Sequence, residues 1–232
     1  MEGRVVIVTG GGRGIGQAVC RRFARERWNV VAIARSGEQL DQTAEQVESD
    51  GGRCTTRVAD VTSVEQVQAV VDSTEKHFGR IDVLVNNAGA AVRAEVKDVT
   101  AVEFETLLRV NVAGVFYACK AVWGVMEGQG GGTIVNLSSM AAIDPFPGLA
   151  TYGAAKAWVN AFTRGLADEG RAAGIRVFAV APGSVWTDML RSAFPKFPQE
   201  QALDPAEVAD AIHALTQPAM TYASGQTLYL KK

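Results

Sequence analysis

Short runs of β-branched residues alternate along this chain with longer segments of helical periodicity, and this alternation restricts the fold more than any other feature. The predicted strands cover residues 4–9, 30–34, 54–58, 83–86, 133–137, 175–181 and 227–230. The predicted helices cover residues 14–27, 38–49, 64–78, 101–126, 151–173 and 205–215. Apolar strands separated by helices are typical of a parallel sheet covered on both faces. We therefore expect an α/β, doubly wound fold with a seven-stranded parallel sheet and helices on both faces.

The composition is that of an ordinary globular domain. The 232 residues are 47% hydrophobic and 21% charged, and no repeat or linker divides them, so we expect a single domain over residues 1–232. The net charge of −2 is unlike that of a nucleic-acid-binding protein. Every apolar run is interrupted before the roughly 18 residues of a membrane span, and no targeting segment precedes the first strand. These features predict a cytoplasmic protein with neither nucleic acid nor membrane as partner.

The three cysteines are Cys20, Cys54 and Cys119. Their odd number, the absence of C-x-x-C spacing and the lack of a nearby histidine predict neither a disulfide framework nor a metal site. We expect reduced thiols in the core.

A glycine-rich turn, TGGGRGIG at residues 9–16, follows the first predicted strand and precedes a helix. Glycines at this place let the backbone approach a pyrophosphate at the helix N-terminus. No G-K-[ST] follows, which disfavours a nucleoside triphosphatase. The turn predicts a dinucleotide site, with a purely structural turn as the alternative. The residues of the turn expected to contact the cofactor are Gly10, Gly12, Arg13, Gly14, Ile15 and Gly16.

Arg35 lies at the end of the second predicted strand, where an NAD-binding chain usually has an acidic residue for the ribose 2′-hydroxyl. A carboxylate would repel a 2′-phosphate, whereas a guanidinium binds it, and Arg13 adds a second positive charge. The sequence therefore favours NADP(H) over NAD(H). The alternative is that Arg35 is merely a solvated residue at a strand end.

Five motifs occur in order along the chain: the TGxxxGIG pattern of residues 9–16, the NNAG run of residues 86–89, Ser139, Tyr152-x-x-x-Lys156 and Pro182-Gly183. With these motifs the chain resembles the short-chain dehydrogenase/reductase family, and is similar to its 3-oxoacyl-carrier-protein reductase-like members. The resemblance implies a Rossmann fold and an NAD(P)-dependent oxidoreductase. Family members are commonly homotetramers, so we expect a homotetramer or a homodimer.

The resemblance also implies roles for individual residues. Asp60 and Val61 would lie beside the adenine, and Asn111 would hold a proton-relay water. Ser139 is preferred over Ser138 as the catalytic serine, because the family's serine precedes its tyrosine by 13 residues. The other cofactor contacts implied by the family's motifs are Asn87, Ala88, Gly89, Tyr152, Lys156, Pro182, Gly183, Val185 and Thr187.

Carbonyl reduction needs a hydride from the nicotinamide and a proton for the growing alkoxide. The Tyr152 hydroxyl is the predicted donor, although a free phenol with a pKa of about 10 is a weak acid. Lys156 follows four residues later on the same helix face; an ammonium ~4 Å away at an effective dielectric of ~20 contributes ~4 kcal/mol, or ~3 pKa units. Ser139 would hold the carbonyl oxygen, and Lys156 would also bind the nicotinamide ribose. A Tyr and Lys at this spacing, taken alone, are usually structural.

The sequence leaves the substrate open. We expect a small-molecule ketone or secondary alcohol. A 3-oxoacyl thioester on an acyl carrier is the alternative, but carrier-dependent members tend to have basic residues where this chain has Glu127-Gly128-Gln129 and Ala172-Ala173. A dinucleotide sensor without turnover is a further alternative. An epimerase or dehydratase of the sugar-nucleotide branch fits less well, because those chains usually have a different glycine spacing.

Residues 189–203 form the longest irregular segment late in the chain and combine two prolines with two phenylalanines. We predict that they form a lid over the substrate. Trp186, Phe194 and Phe197 would then line an apolar pocket, unless they are core or subunit-interface residues.

Overall fold

The computed structural model describes residues 3–232, and its centre is one sheet of seven parallel strands. The sheet order is β3-β2-β1-β4-β5-β6-β7. Each strand begins and ends within one residue of its predicted limits. The predicted α/β doubly wound fold is confirmed. The strands are β1 Val5–Thr9, β2 Asn29–Ala34, β3 Arg53–Val58, β4 Val83–Asn86, β5 Gly132–Leu137, β6 Ile175–Pro182 and β7 Thr227–Leu230.

Helices cover both faces of the sheet. The first helix ends earlier than predicted, because the chain turns where Arg27 has a left-handed φ of 61°. The predicted helical residues 171–173 form a 3₁₀ turn instead. The α-helices are α1 Gly14–Ala24, α2 Gly37–Ser49, α3 Val64–Phe78, α4 Ala101–Leu108, α5 Gly114–Gly128, α6 Ala150–Gly170, α7 Asp188–Ala193 and α8 Pro205–Leu215.

The central strand β1 shows how the two cores form. Successive side chains of a strand point to opposite faces, so Val6 and Val8 pack with α1, α2 and α8, while Val5 and Ile7 pack with α3, α5 and α6. All four side chains are buried. Because both faces are covered, the cleft for a ligand is left at the carboxyl ends of the strands.

The predicted single helix over residues 101–126 was wrong in one respect. A π-helical segment, Arg109–Ala113, separates α4 from α5 and contains Asn111. Such segments insert one residue into a turn and are frequent at functional sites. Hydrophobic periodicity does not reveal an insertion of this kind.

The segment from residue 188 to 203 is less irregular than predicted, since it contains α7 and the 3₁₀ turn Gln199–Gln201. Its ends are tied together: the Trp186 amide donates to the Leu203 carbonyl at 2.9 Å, and the Leu203 amide donates to the Ser184 carbonyl at 2.9 Å. Within residues 3–232, no helix has the length and apolar character required to cross a membrane.

Candidate active site

The predicted site residues, although widely separated in sequence, are placed together at the carboxyl ends of the strands. The glycine turn follows β1, Arg35 follows β2, and residues 60–61 follow β3. Residues 87–89 follow β4, and Ser139 follows β5. Pro182 ends β6, and residues 183–187 follow it. The π-helical segment and the first turns of α6 supply Asn111, Tyr152 and Lys156.

The glycine turn is fixed by the loop after β4. The Asn87 side-chain amide donates to the carbonyl oxygens of Thr9 and Gly10, each at 3.0 Å. The Thr9 hydroxyl accepts from the Asn87 and Ala88 amides at 3.0 and 3.1 Å. A methyl group at Gly16 would lie 2.1 Å from the Gly10 carbonyl oxygen, so only glycine fits there.

The start of α1 has the properties of an anion site. Arg13 is its N-cap residue but makes no side-chain capping bond, and the first turn has no acidic residue. The backbone N–H groups there suit a pyrophosphate. A methyl group at Gly14 would lie 3.2 Å from Cγ2 of Thr187, so the segment after β6 forms the opposite wall. These residues fit a dinucleotide.

Charged groups lie at the ends of β2 and β3. Arg35 is exposed. Partial burial opposes ionisation of Asp60, but its hydrogen bonds with Thr62 and the charges of Arg35 and Arg109 hold its pKa below the ordinary value. Val61 packs on the π-helical region: a methyl group at Gly114 would lie 3.0 Å from its side chain.

Asn111 is fully buried beside the predicted nicotinamide site. Its side-chain amide donates to the Ala90 carbonyl at 2.7 Å and accepts from the Ala90 amide at 3.2 Å. A methyl group at Gly89 would lie 3.2 Å from its Oδ1 and 3.8 Å from Nζ of Lys156. Asn111 therefore fixes the loop after β4 next to Lys156.

The two adjacent serines after β5 have different partners. The Ser138 hydroxyl is buried and donates to the Lys156 carbonyl at 3.1 Å. The Ser139 hydroxyl instead accepts from the Ala141 amide at 3.2 Å, and it lies close enough to Tyr152 to lower the pKa of that phenol. The choice of Ser139 as the catalytic serine stays a prediction.

The predicted low pKa of Tyr152 is not observed. Burial raises the pKa of Tyr152, and the neighbouring Ser139 hydroxyl acts in the opposite direction. The Lys156 ammonium lies 5.8 Å from the centroid of the Tyr152 ring and donates to the Leu137 carbonyl at 2.7 Å. Because Lys156 is only 4% exposed, burial lowers its own pKa to about 8. The sequence argument did not include the burial of either group.

Arg93 was missed by the sequence reasoning. Its guanidinium donates to the Ala193 carbonyl at 2.8 Å and lies 4.3 Å from the centroid of the Phe194 ring. It thus connects the loop after β4 with the end of α7. Its position in the loop that follows Gly89 was the signal available.

Among residues 3–232, no group of three His, Cys, Asp or Glu side chains could hold a metal ion. The candidate site contains the hydroxyls of Ser139 and Tyr152 and the buried ammonium of Lys156.

Comparison with known proteins identifies the family. Residues 4–197 match the short chain dehydrogenase family. The 3-oxoacyl-[acyl-carrier-protein] reductase FabG of Thermotoga maritima is 36% identical over 98% of this chain and 96% of its own. The structure of 7α-hydroxysteroid dehydrogenase with NADH and 7-oxo glycochenodeoxycholic acid has a TM-score of 0.93 at 29% identity, covering 99% of this chain and 93% of that one. A variant of the actinorhodin polyketide ketoreductase with NADPH also has a TM-score of 0.93, at 30% identity, covering 99% and 96%. The chain is therefore an oxidoreductase that belongs to the short-chain dehydrogenase family.

Proposed function

We propose that this protein transfers a hydride between NADP(H) and a ketone or secondary alcohol, with Tyr152 as the acid and base. The observation that carries the proposal is the grouping of Ser139, Tyr152 and the buried Lys156 ammonium, which lies 5.8 Å from the centroid of the Tyr152 ring. These groups face the end of the sheet where the glycine turn lies.

In the proposed reduction, the Ser139 hydroxyl donates to the substrate carbonyl oxygen and orients it. Tyr152 gives its proton to that oxygen as negative charge develops. Lys156 offers a positive charge that stabilises the resulting tyrosinate. The nicotinamide, when bound, supplies or accepts the hydride. In the oxidation, Tyr152 takes the proton back.

Two arginines support the choice of NADP(H). Arg13 lies in the glycine turn and Arg35 at the end of β2, where a 2′-phosphate would meet both guanidiniums. An NAD-preferring site usually has a carboxylate in place of Arg35. Because the similar structures contain NADH in one case and NADPH in the other, they leave this choice to the residues of this chain.

The rim of the site, residues 140–149 and 188–203, favours an apolar substrate. Ile143, Phe146 and Met189 are 58%, 65% and 40% exposed. Exposed apolar side chains around a catalytic group suit a ketone with a hydrocarbon body. We propose residues 189–203 as the lid over it. A 3-oxoacyl thioester is the second candidate, since the Thermotoga maritima relative is named as a 3-oxoacyl-[acyl-carrier-protein] reductase.

We also propose a cytoplasmic homotetramer or homodimer. The three cysteines are free thiols, as is usual in a reducing compartment. Phe104 and Phe116 are 43% and 42% exposed on α4 and α5, and such apolar side chains suit a subunit interface. Light scattering of the purified protein measures the subunit number.

The test is the substitution Tyr152→Phe, which removes the hydroxyl and keeps the ring. We expect turnover of a ketone with NADPH to fall by about 10²-fold or more, while NADPH binding stays unchanged. Tyr222→Phe is the matched control, because that side chain is fully exposed. Equal turnover in Tyr152→Phe and the wild type would refute the mechanism.

A substrate panel with NADPH and NADH tests the rest of the proposal. It contains apolar cyclic ketones, short aliphatic ketones and 3-oxoacyl thioesters. We expect the cyclic ketones to have the highest kcat/KM, and NADPH to bind more tightly than NADH. Tight NADPH binding without turnover of any compound would instead support a dinucleotide sensor.

A further inference from the structure

Two of the three cysteines, Cys20 on α1 and Cys54 on β3, lie where this helix packs against this strand. The helix and the strand approach closely one turn further along α1, where a methyl group at Gly52 would lie 2.5 Å from Cβ of Ala24. Cys20 precedes Ala24 by one helical turn, and Cys54 follows Gly52 by two residues. Because α1 runs antiparallel to the strands, both steps lead toward the carboxyl edge of the sheet. Cys20 and Cys54 belong to the same apolar cluster.

The two thiols have different environments. Cys20 is fully buried, whereas Cys54 is partly exposed. The thiol interaction raises the pKa of Cys20, which burial raises further. The same interaction holds the pKa of Cys54 below its usual value. Cys54 is therefore the accessible sulfur with the greater thiolate character, and Cys20 is a neighbouring thiol behind it.

Cys20 also contacts the glycine turn. Its Sγ lies 4.0 Å from the Gly11 carbonyl oxygen, and a methyl group at Gly11 would lie 3.2 Å from the same Sγ. The Gly11 carbonyl is held in addition by the Thr43 hydroxyl at 3.1 Å. A displacement of Cys20 is thus transmitted directly to the turn that forms the predicted pyrophosphate site.

We propose that Cys20 and Cys54 form a reversible disulfide when the protein meets a peroxide, and that this bond weakens dinucleotide binding. The first part rests on the packing of α1 against β3 and on the different environments of the two thiols. The second part rests on the proposed function, because it requires that the glycine turn bind a dinucleotide.

The chemistry balances in two steps. The Cys54 thiolate attacks one oxygen of hydrogen peroxide, the O–O bond breaks, hydroxide leaves, and Cys54 becomes a sulfenic acid. The Cys20 sulfur then attacks the Cys54 sulfur, the S–O bond breaks, and the departing hydroxide takes the Cys20 proton as water. The two thiols lose two electrons and the peroxide gains them. A dithiol reverses the reaction. The new bond draws Cys20 toward β3 and away from Gly11.

The experiment counts thiols in the full-length protein before and after treatment with hydrogen peroxide. The count in denaturant should fall from the three free thiols to one, with a Cys20–Cys54 peptide found by mass spectrometry, and dithiothreitol should restore it. Cys119→Ser is the matched control and should fall from two thiols to none, since burial raises the pKa of Cys119 to about 12 and the pair does not involve it. An unchanged count, or a sulfinic acid at Cys54 without the disulfide, would overturn the proposal.

Dinucleotide binding is measured on the same samples by NADPH fluorescence. Oxidation should raise the Kd for NADPH about fivefold or more in the wild type and in Cys119→Ser, and dithiothreitol should reverse the change. Cys54→Ser, at a partly exposed position, and Cys20→Ala should both lose this response. An oxidised, disulfide-bonded protein with unchanged Kd refutes the coupling. A reduced protein that binds neither NADPH nor NADH refutes the proposed function and leaves the thiol result standing.

Discussion

The two sides of the candidate site are constructed differently. The cradle, residues 9–16 and 87–90, is held by hydrogen bonds to its own backbone: Asn87 alone makes two, each at 3.0 Å. The rim, residues 140–149 and 188–203, exposes apolar side chains such as Phe146, which is 65% exposed. The backbone of the cradle is fixed, so every dinucleotide would meet the same shape there. The side chains of the rim are not fixed in this way and can differ from one substrate to another. We expect the cradle to determine the class of cofactor and the rim to determine the substrate.

The largest effect that would sharpen this contrast is a steric change in the cradle. In Gly16→Ala the new methyl group meets the Gly10 carbonyl oxygen at 2.1 Å, so the turn or α1 must move. We expect a loss of about 3 kcal/mol or more in the free energy of unfolding, together with loss of NADPH binding. Chemical denaturation measures the free energy of unfolding, and NADPH fluorescence measures binding.

Gly124→Ala is the control for that substitution. Gly124 lies within α5, and a methyl group there meets no atom within 4 Å. Replacing a helical glycine with alanine should therefore stabilise the protein by about 0.5–1 kcal/mol. Equal effects of the two substitutions would mean that the cradle is no more rigid than an exposed helix.

Lys156 lies between the cradle and the rim, and its burial predicts a pH dependence. Its pKa is about 8 in the folded protein and about 10.4 in an unfolded chain. Between these values only the unfolded chain holds the proton, so this group's contribution to stability rises with pH. Relative to Lys156→Met, the wild type should gain about 2 kcal/mol of unfolding free energy from pH 8 to 9.5.

The difference between the two proteins is the quantity to measure, because the raised pKa values of Cys20 and Cys119 lower stability above about pH 8.5 in both. Lys120→Met, at an exposed position, should behave as the wild type does. If the unfolding free energies of the wild type and Lys156→Met changed in parallel with pH, burial would not be lowering the pKa of Lys156.

Substitution of Arg93 tests how far a single contact holds the rim in place. Arg93→Ala removes the hydrogen bond to the Ala193 carbonyl and the stacking on Phe194, worth about 1–2 kcal/mol together. We expect the KM for a ketone to rise about 5–30-fold, while the Kd for NADPH does not change. Arg164→Ala, at an exposed position of α6, is the control. A change in NADPH binding instead would mean that Arg93 supports the cradle.

The same contrast explains how far the sequence could be read. The glycine turn follows from its place at the end of a predicted strand, whereas Asn87 and the Tyr152 and Lys156 pair were implied by the family resemblance. The fold and the placement of the candidate site were predictable on these two grounds together. The π-helical insertion at Asn111 changes no hydrophobic period and was therefore invisible. The contact of Arg93 with Phe194 joins residues 101 positions apart, and the high pKa of Tyr152 depends on burial. None of these is encoded in local sequence.

The smallest predicted effect concerns the ion pair that joins the two sides. Arg13 of the cradle lies 3.5 Å from Asp188 at the start of α7, and their side chains are 59% and 52% exposed. An exposed pair contributes at most about 1 kcal/mol, so Asp188→Asn should increase NADPH affinity by no more than about fivefold. Because the freed guanidinium acts on the 2′-phosphate, NADH affinity should stay the same and the gain should shrink at high salt.

Asp168→Asn is the matched control for that pair, since its carboxylate on α6 is 74% exposed and pairs with Arg171 of the following 3₁₀ turn. It should leave both affinities unchanged. If Asp188→Asn instead increases NADPH and NADH affinity equally, Arg13 acts on the pyrophosphate shared by both cofactors. The preference for NADP(H) would then depend on Arg35 alone, and the rim would influence how tightly a dinucleotide binds without influencing which one.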